Sequence, residues 1–274
     1  MDKLEKALEK ARGERGGAIT FALPSASHRK PGNGKPADIV LPRARRVLEI
    51  PEQNLDTYRI LAHRTRNRQA DVFRILRTQV LQMMRQSGLR TLAITSPNYG
   101  DGKTTVAINL AISMSLDLKQ TVLLADLDLR KPGVSTYLGI NAEAGLTDHI
   151  LENRPASDCL LRTSFERLVV LPSGRARDNS SELLGSSKMT VFAQELKQRY
   201  DDRIIIYDMP PILAQDDSLA FLPNIDAVLM IVREGMTKVD DIKQSMAALG
   251  AANVLGVVLN NSGKNKPLAM AEAA

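Results

Sequence analysis

From residue 90 onward, the chain alternates between continuous apolar runs and amphipathic stretches. Six apolar runs are short and rich in Val, Ile and Leu, a texture typical of strands buried on both faces of a parallel sheet. They span 89–96, 121–126, 168–174, 203–208, 227–234 and 254–260. Helical periodicity predicts helices between them at 103–116, 187–200 and 237–250. This alternation predicts a doubly wound α/β domain, a mostly parallel sheet with helices on both faces.

Ahead of this region, the pattern predicts a helix near 55–65 and a stronger one over 68–87. Gly88 is placed to end the second helix. One face of that helix carries Phe73, Leu76, Val80, Met83 and Met84.

The beginning of the chain has a different composition. Residues 2–12 are mostly charged, and their few apolar residues recur at helical spacing. This pattern predicts a short helix with a narrow apolar stripe. Clusters of Gly and Pro follow and break regular structure. We therefore predict a basic N-terminal helix and flexible linker at 1–50, the α/β domain at 51–264, and a flexible tail at 265–274.

Charge is concentrated at the same end of the chain. The formal net charge is +6, and the first fifty residues hold eleven Lys and Arg against six Asp and Glu, a net of +5. A basic arm can meet acidic lipid, nucleic acid or an acidic partner, and it can equally be a solvated arm. Aromatic residues are 4% and Trp is absent. That composition argues against a stacking platform for single-stranded nucleic acid, so we expect no nucleic-acid partner.

Cysteine and histidine offer no metal chemistry. Cys159 is the single cysteine, so neither a disulfide framework nor a paired-cysteine metal site forms within one chain. This fits a reducing cytoplasm, and we expect Cys159 to be a buried small residue. The three histidines, His28, His63 and His149, lack metal-ligand spacing. We interpret them as structural or surface residues.

Membrane insertion is not expected from the sequence. Met1–Arg15 is charged throughout and lacks the apolar centre of a signal peptide. No run approaches the roughly 18 consecutive apolar residues of a spanning helix. We expect a soluble protein, or one held at a membrane by a partner.

The first predicted strand leads into a glycine-containing loop, SPNYGDGKTT, followed by a helix. Strand, glycine loop, Lys-Thr and helix form the context of a phosphate-binding P-loop. Gly100 and Gly102 allow turns that a side chain would block, and the helix start adds its N-terminal dipole. Lys103 would reach the terminal phosphates, and the Thr104 hydroxyl would ligate Mg²⁺. The sequence therefore predicts a P-loop NTPase fold.

One position departs from the usual P-loop. The first glycine of that motif, five positions before Gly102, is Pro97 here. Taken alone, the loop could be an ordinary glycine turn at the start of a helix. The flanking strand and helix, and the acidic strand ends that follow, favour the phosphate-binding interpretation.

Two later strands end in carboxylates. Asp126 ends one strand and Asp128 follows it, and Asp208 ends another. Ligands of open α/β sheets bind at the carboxyl ends of the strands. An Asp often ends a strand without any further role, but three beside a P-loop favour a metal-assisted phosphoryl-transfer edge. Asp208 suits a ligand of Mg²⁺ or of its water; Asp126 and Asp128 could hold metal or act as a base.

The trio GDGKTT, VLLADLDLRKP and IIIYDMPP resembles the Walker A, Walker A′ and Walker B motifs of the bacterial tyrosine kinases of capsule and exopolysaccharide loci. Within that family it is most similar to the tyrosine autokinases of exosortase-associated exopolysaccharide loci. The resemblance covers about residues 65–262 and includes FRILRT at 73–78, LPSGRARDNSSELLGSSKM at 171–189, and VLGVVLNNS. It implies an ATP-dependent protein-tyrosine autokinase that regulates polysaccharide synthesis and export.

The resemblance also implies roles for single residues. Lys103 would contact the β- and γ-phosphate oxygens of ATP. Mg²⁺ would be held by Thr104 and Asp208 with help from Asp128, and Asp126 would accept the proton of the attacking tyrosine hydroxyl. The loop residues expected around ATP are Tyr99, Gly100, Asp101, Gly102, Lys103, Thr104 and Thr105.

Assembly and partners follow from the same resemblance. Arg74 and Arg77 match the arginine pattern of the family's subunit-contact helix, which implies a ring-like homo-oligomer; a solvated helix face is the alternative. The family implies a cytoplasmic kinase, peripheral at the inner membrane through a separate membrane polysaccharide co-polymerase, the chain-length determinant protein. Protein tyrosines would be its substrates.

The tyrosines depart from the family pattern, because family members usually carry a C-terminal tyrosine cluster and no tyrosine here follows Tyr207. Tyr207 lies inside a predicted buried strand and is expected in the core. Tyr58 is the best-placed acceptor outside the α/β domain, whereas Tyr99 is expected to shape the phosphate loop. The missing cluster leaves open a second function, a regulatory ATPase switch without kinase output.

Two other ATPase classes share this fold. A positioning ATPase of the ParA/MinD type carries a signature lysine early in its loop, where this chain has Asn98. An iron–sulfur carrier ATPase needs paired cysteines, which Cys159 alone does not supply. Both are less favoured than the kinase.

Overall fold

A computed structural model of the protein describes residues 47–200, 202–262 and, as backbone, 270–272. The predicted helix at 2–12, nearly all of the linker, and most of the tail at 265–274 lie outside the described residues. The described residues form an eight-stranded sheet of order β3-β4-β2-β5-β1-β6-β7-β8. Its strands are β1 Thr91–Thr95, β2 Thr121–Asp126, β3 Leu161–Arg162, β4 Leu168–Leu171, β5 Arg203–Asp208, β6 Ala227–Arg233, β7 Val254–Asn260 and β8 Met270–Glu272.

The helices connect these strands and cover both faces of the sheet. The long ones are α2 Arg68–Gln86, α3 Lys103–Ser115, α8 Ser187–Gln198 and α10 Val239–Leu249. The short ones are α1 Glu52–Thr57, α4 Val134–Leu138, α5 Leu146–Glu152, α6 Ala156–Cys159, α7 Ser180–Leu184 and α9 Asp217–Phe221. A short 3₁₀ turn, Leu222–Asn224, follows α9. No helix among the described residues has the length and apolarity that a bilayer span requires.

Alternation along each strand divides the core into two layers. In β5, Ile204 and Ile206 pack with residues of α2, α3 and α4 on one face of the sheet. Ile205 and Tyr207 pack with residues of α5, α8, α9 and α10 on the other. Because both faces are covered, the central strands are apolar at every position, as the sequence pattern indicated. The predicted doubly wound P-loop fold is confirmed.

All six predicted strands are present, and all six pair in parallel with neighbours. The prediction missed the two edge strands, β3 and β8, which pair antiparallel with β4 and β7. Each has only two or three residues, too few to show a periodic pattern.

The helix predicted near 55–65 was wrong in position. The chain is helical at α1 and leaves the helix at Tyr58; Arg59 follows with a φ of +57°. The next residues are held by a buried side chain of α3, because Asn109 Oδ1 accepts hydrogen bonds from the amides of Leu61 and Ala62 at 2.7 and 3.0 Å. A side chain distant in sequence therefore satisfies the backbone that a continued helix would have satisfied locally.

Candidate active site

The phosphate loop connects β1 to α3, and its glycines adopt left-handed backbone conformations. Gly100 has a φ of +84° and Gly102 a φ of +94°. A Cβ on Gly102 would lie 2.1 Å from the side-chain nitrogen of Asn260. Gly102 therefore satisfies both a backbone and a space requirement at the start of α3, where free amides favour anions.

Side chains of neighbouring segments hold the loop in place. Asp101 accepts a hydrogen bond from the Asn98 amide at 2.9 Å and another from the Thr237 hydroxyl at 2.7 Å. Asn260 donates to the Asp101 carbonyl oxygen at 2.8 Å, and Arg233 to the Gly100 carbonyl oxygen at 3.1 Å. The sequence analysis assigned no role to Thr237, Arg233 or Asn260. Their only signal in the sequence is their position, since Arg233 ends β6, Asn260 ends β7 and Thr237 follows β6.

Lys103 begins α3 and points at the acidic strand ends. Its Nζ lies 2.9 Å from Asp128 Oδ2 and 3.8 Å from Asp208 Oδ1. Burial alone would lower the pKa of Lys103, but Asp208 and Asp128 raise it above its usual range. The lysine is therefore a fixed cation, able to exchange carboxylate partners for phosphate oxygens.

Thr104 and Asp208 form the adjacent pair. The Thr104 hydroxyl donates to Asp208 Oδ2 at 2.7 Å. The other oxygen, Oδ1, is buried and accepts no hydrogen bond from any described residue. Burial raises the pKa of Asp208, while Lys103 and the Thr104 hydroxyl oppose the rise.

This arrangement passes a chemical test for Mg²⁺. Hard oxygen donors suit the ion, and a hydroxyl and a carboxylate meet here with one buried oxygen unsatisfied. A buried oxygen without a partner is costly unless a cation or water satisfies it. Thr104 and Asp208 therefore fit the ion, and Asp128 contacts the same Lys103 ammonium as Asp208 does.

Asp126 ends β2 and is fully buried. Its Oδ2 accepts hydrogen bonds from the amides of Gly133 and Val134 at 3.0 and 2.9 Å, and its Oδ1 accepts one from the Asp128 amide at 3.2 Å. Burial and the charge of Asp208 raise the pKa of Asp126 to about 7. Near neutral pH this carboxylate can accept a proton.

Tyr99 lies at the rim of the site, with 42% of its surface exposed. Its hydroxyl contacts the Gln215 side chain, and the Lys131 ammonium lies 4.2 Å from its ring centre. Burial raises the pKa of Tyr99, and Asp128 adds to the rise. The loop position predicted for Tyr99 therefore brings it beside the same carboxylates.

The other tyrosines are less available. Tyr207 is fully buried, which confirms the prediction of a core residue. Tyr58 is half-buried and its ring stacks on that of Tyr137 with centres 4.1 Å apart. Tyr200 stacks on the guanidinium of Arg203.

The two arginines of α2 contact residues of their own chain. Arg74 pairs with Asp71 and donates to the Arg64 carbonyl oxygen at 2.6 Å. Arg77 donates to the Ser113 carbonyl oxygen of α3 at 3.0 Å. The structure does not place them near the phosphate loop, and their role in subunit contact stays a prediction.

Of the residues interpreted as structural or surface residues, Cys159, His63 and His149 are in the described chain, and His28 lies outside the described residues. Cys159 is buried. His149 packs on Phe192 and His63 lies against Phe165, with ring centres 4.2 and 6.1 Å apart. No group of three His, Cys, Asp or Glu side chains within the described ranges is arranged to hold a metal by itself.

Known proteins that are similar to this chain indicate its family. The family model described as an AAA domain matches residues 89–248. Tyrosine-protein kinase YwqD of Bacillus subtilis is 31% identical over 199 residues, which cover 72% of this chain and 83% of YwqD. Succinoglycan biosynthesis transport protein ExoP of Rhizobium meliloti is 29% identical over 223 residues, 79% of this chain but 28% of ExoP.

Solved structures give the same result. The chimerical protein CapA2B2 superposes with a TM-score of 0.70 at 28% identity, covering 80% of this chain and 95% of that one. The septum site-determining protein MinD of Pyrococcus horikoshii, solved with Mg-ADP, gives a TM-score of 0.54 at 25% identity, covering 65% and 73%. CapA2B2 therefore matches more of the chain, and matches it more closely, than MinD does.

Proposed function

Because this chain belongs to the bacterial tyrosine-protein kinases, we propose that it transfers the γ-phosphoryl group of ATP to tyrosine hydroxyls through the site around Lys103. The observation that carries the proposal is the meeting of Lys103, Thr104 and three buried carboxylates at one edge of the sheet. A structural cluster would neutralise its own charges. The cluster around Lys103 contains three carboxylates and one ammonium group, so a bound cation would balance its negative charge.

The phosphate loop is the part of the site that binds the phosphates of ATP. The amides of residues 99–105 and the start of α3 receive the phosphate oxygens, and Gly102 keeps the backbone open for their approach. Lys103 leaves Asp128 and Asp208 for the β- and γ-oxygens. When bound at Thr104 and Asp208, with Asp128 assisting, Mg²⁺ would neutralise charge on those oxygens.

Asp126 supplies the base for the acceptor. Its three backbone hydrogen bonds take three of the roughly four lone-pair positions of a carboxylate, leaving one for a phenolic proton. As that proton moves to Asp126, the tyrosine oxygen bonds to the γ-phosphorus and the bond to the ADP oxygen breaks. A pKa near 7 suits a group that must gain and then lose a proton at neutral pH.

The acceptor is a tyrosine of another polypeptide. Among the five tyrosines of the sequence, Tyr207 is buried, three stack on neighbouring side chains at half exposure, and Tyr99 belongs to the loop itself. Because a second copy of the chain carries the same five tyrosines, a separate protein meets the geometric need for an acceptor better.

The biological setting is proposed from the relatives. ExoP is named for succinoglycan biosynthesis and transport, and we place this kinase in the control of exopolysaccharide or capsule synthesis. It would act in the cytoplasm, peripheral at the inner membrane through a membrane polysaccharide co-polymerase. A homo-oligomer joined through α2, and the narrower exosortase-associated class, stay predictions.

The test is incubation of the purified chain with ATP and Mg²⁺, with and without the cytoplasmic part of its cognate co-polymerase, followed by detection of phosphotyrosine and ADP. Phosphotyrosine formation supports the kinase. Hydrolysis of ATP with no phosphotyrosine under either condition would favour the regulatory ATPase switch.

A further inference from the structure

Two surface segments beside the site carry positively charged side chains. One follows Asp128 at the end of β2 and contains Arg130 and Lys131; the other follows β4 at 174–178 and contains Arg175 and Arg177. The segments are in contact, since the Arg177 amide donates to the Leu129 carbonyl oxygen at 2.9 Å. Lys131, Arg175 and Arg177 lie on these two contacting segments, and together they are called the cationic edge.

Arg130 is excluded from this surface because it is already paired. Its Nε donates to the Ser180 hydroxyl at 2.8 Å, and its guanidinium lies 3.6 Å from the buried carboxylate of Asp217. Neither Arg175 nor Arg177 forms an ion pair with any residue in the described ranges. Lys131 is exposed over Tyr99, Arg175 is exposed, and Arg177 is half-buried with its Nε lacking a partner there. The cationic edge therefore has unused positive charge.

The position of the edge separates it from the ATP phosphates. In the order β4-β2-β5-β1, the end of β4 is three strands from the phosphate loop that follows β1. Three strand spacings are roughly 14 Å. The phosphates are bound by the loop amides and Lys103, so Arg175 and Arg177 lie beyond them, after the strand next to β2, where Asp126 and Asp128 lie.

We propose that the cationic edge is a docking surface for acceptor segments that carry Asp or Glu close to the tyrosine. The proposal rests on the kinase function and gives its substrate class. An extended segment advances about 3.3 Å per residue. With the tyrosine at Asp126, acidic side chains two to four positions away therefore reach the edge. Unpaired cations at a rim raise the rate of encounter with acidic partners and reject basic ones.

The experiment compares two peptides that differ only around one tyrosine, one with Glu at nearby positions and one with Gln. The variant Arg175→Gln/Arg177→Gln removes charge from the edge. Its matched control, Lys119→Gln/Arg167→Gln, removes two charges just before β2 and β4, at the opposite end of the same strands. Thermal unfolding of each variant checks that it folds.

Wild type is expected to prefer the Glu peptide in kcat/KM by about tenfold, and the edge variant by about twofold, given the usual strength of exposed ion pairs. The control variant should keep the wild-type preference. The preference should also shrink as salt rises from about 0.05 to 0.5 M, where screening shortens to a few ångströms. Equal kcat/KM for both peptides in wild type, or an unchanged preference in the edge variant, would overturn the proposal.

A measurement of peptide binding tests this docking proposal independently of the kinase function. The same two peptides with Phe in place of Tyr cannot be phosphorylated, and their dissociation constants are measured by fluorescence anisotropy with ATP and Mg²⁺ present. Tighter binding of the Glu version, lost in the edge variant, supports docking even where no transfer occurs. Equal binding of both versions overturns it, whereas phosphorylation of the Gln peptide by the same preparation shows that the kinase is active.

Discussion

Carboxylates lie at both ends of the central sheet, half-buried at the amino end and buried at the carboxyl end, and their surroundings differ. At the amino end, Asp226 precedes β6 and accepts hydrogen bonds from the amides of Arg90 and Thr91 at 2.9 and 3.0 Å, together with the Lys197 ammonium. Burial alone would raise the pKa of Asp226, but the hydrogen bonds from Lys197 and from these amides lower it. Asp226 is satisfied by its own chain.

At the carboxyl end, Asp126 and Asp208 pair across β2 and β5, and burial raises the pKa of both. Lys103 is shared between Asp128 and Asp208, and Asp208 Oδ1, 3.8 Å from the Lys103 ammonium, accepts no hydrogen bond in the described chain. The comparison shows how a structural carboxylate differs from a functional one. The charge of the structural carboxylate is compensated by groups of the same chain. The charge of the functional carboxylate is compensated only in part, so that a ligand can bind to it.

The largest expected effect comes from removing the lysine at each end. Lys103→Met should lower ATP turnover by about 10²–10³-fold, the usual cost of losing a charged contact to the reacting group. Lys197→Met should leave turnover unchanged but lower the free energy of unfolding by about 1–3 kcal/mol, because Asp226 loses its cation. Steady-state ADP release and urea denaturation measure the two effects. Similar loss of turnover in both variants would contradict the distinction.

Removing one carboxylate charge at each end sharpens the comparison. Asp208→Asn should raise the Mg²⁺ concentration needed for half-maximal turnover by about 10–100-fold, as expected when a residue that holds or orients a metal is changed. Asp226→Asn should leave that concentration unchanged and lower the melting temperature instead. A magnesium titration of ATP turnover gives the answer, and an unshifted Asp208→Asn curve removes Asp208 from the metal site.

Glycines with positive φ occur at both ends, and they allow a smaller test. Gly102→Ala should weaken ATP binding by about tenfold, since a residue forced into this region costs roughly 1–3 kcal/mol and the new Cβ would collide with Asn260. Gly88 precedes β1 with a φ of +64° and has nothing within 4 Å of a new Cβ. Gly88→Ala should therefore reduce stability without changing the ATP dissociation constant. Calorimetric titration with ATP compares them.

A further expected effect is on the pH dependence of stability without ATP or Mg²⁺. The pKa of Asp126 is about 7 in the folded chain and about 4 when unfolded. The folded state therefore binds the proton more tightly, and the free energy of unfolding falls as pH rises from about 4 to 7. Asp226 has the opposite sign, because its lowered pKa stabilises the fold above about pH 4 and the benefit is lost in acid.

Urea denaturation across pH 4.5–8 is the measurement for this prediction. Asp126→Asn should flatten the decline toward neutral pH, since Asn does not ionise, while Asp226→Asn should retain it. A decline that persists unchanged in Asp126→Asn would mean that another group binds the proton.

The sequence predicted the sheet and its chemical edge well, for a physical reason. Strands buried on both faces must be apolar throughout, so β1, β2 and β5 were visible as runs. Because the carboxyl ends of parallel strands lie at one edge of the sheet, the sequence alone predicts that Asp126, Asp128 and Asp208 lie close together. The family prediction rested on the same motifs, and the comparisons confirm it.

What escaped prediction depends on contacts between distant residues. Asn109 holds the backbone at Leu61 and Ala62 and thereby ends the region predicted as a helix near 55–65. Asn260 and Thr237 support the phosphate loop from 136 or more positions away. A single polar residue has no periodic pattern, so nothing local in the sequence distinguishes these supports from surface residues.

The most direct test of the central claim follows phosphotyrosine and ADP together in wild type and in Asp126→Asn, with an acceptor peptide, ATP and Mg²⁺. In the mechanism proposed here, Asp126→Asn binds ATP with the wild-type dissociation constant but forms phosphotyrosine about 10²–10⁴-fold more slowly, the usual contribution of a general base. Wild-type rates of phosphotyrosine formation in Asp126→Asn would contradict it.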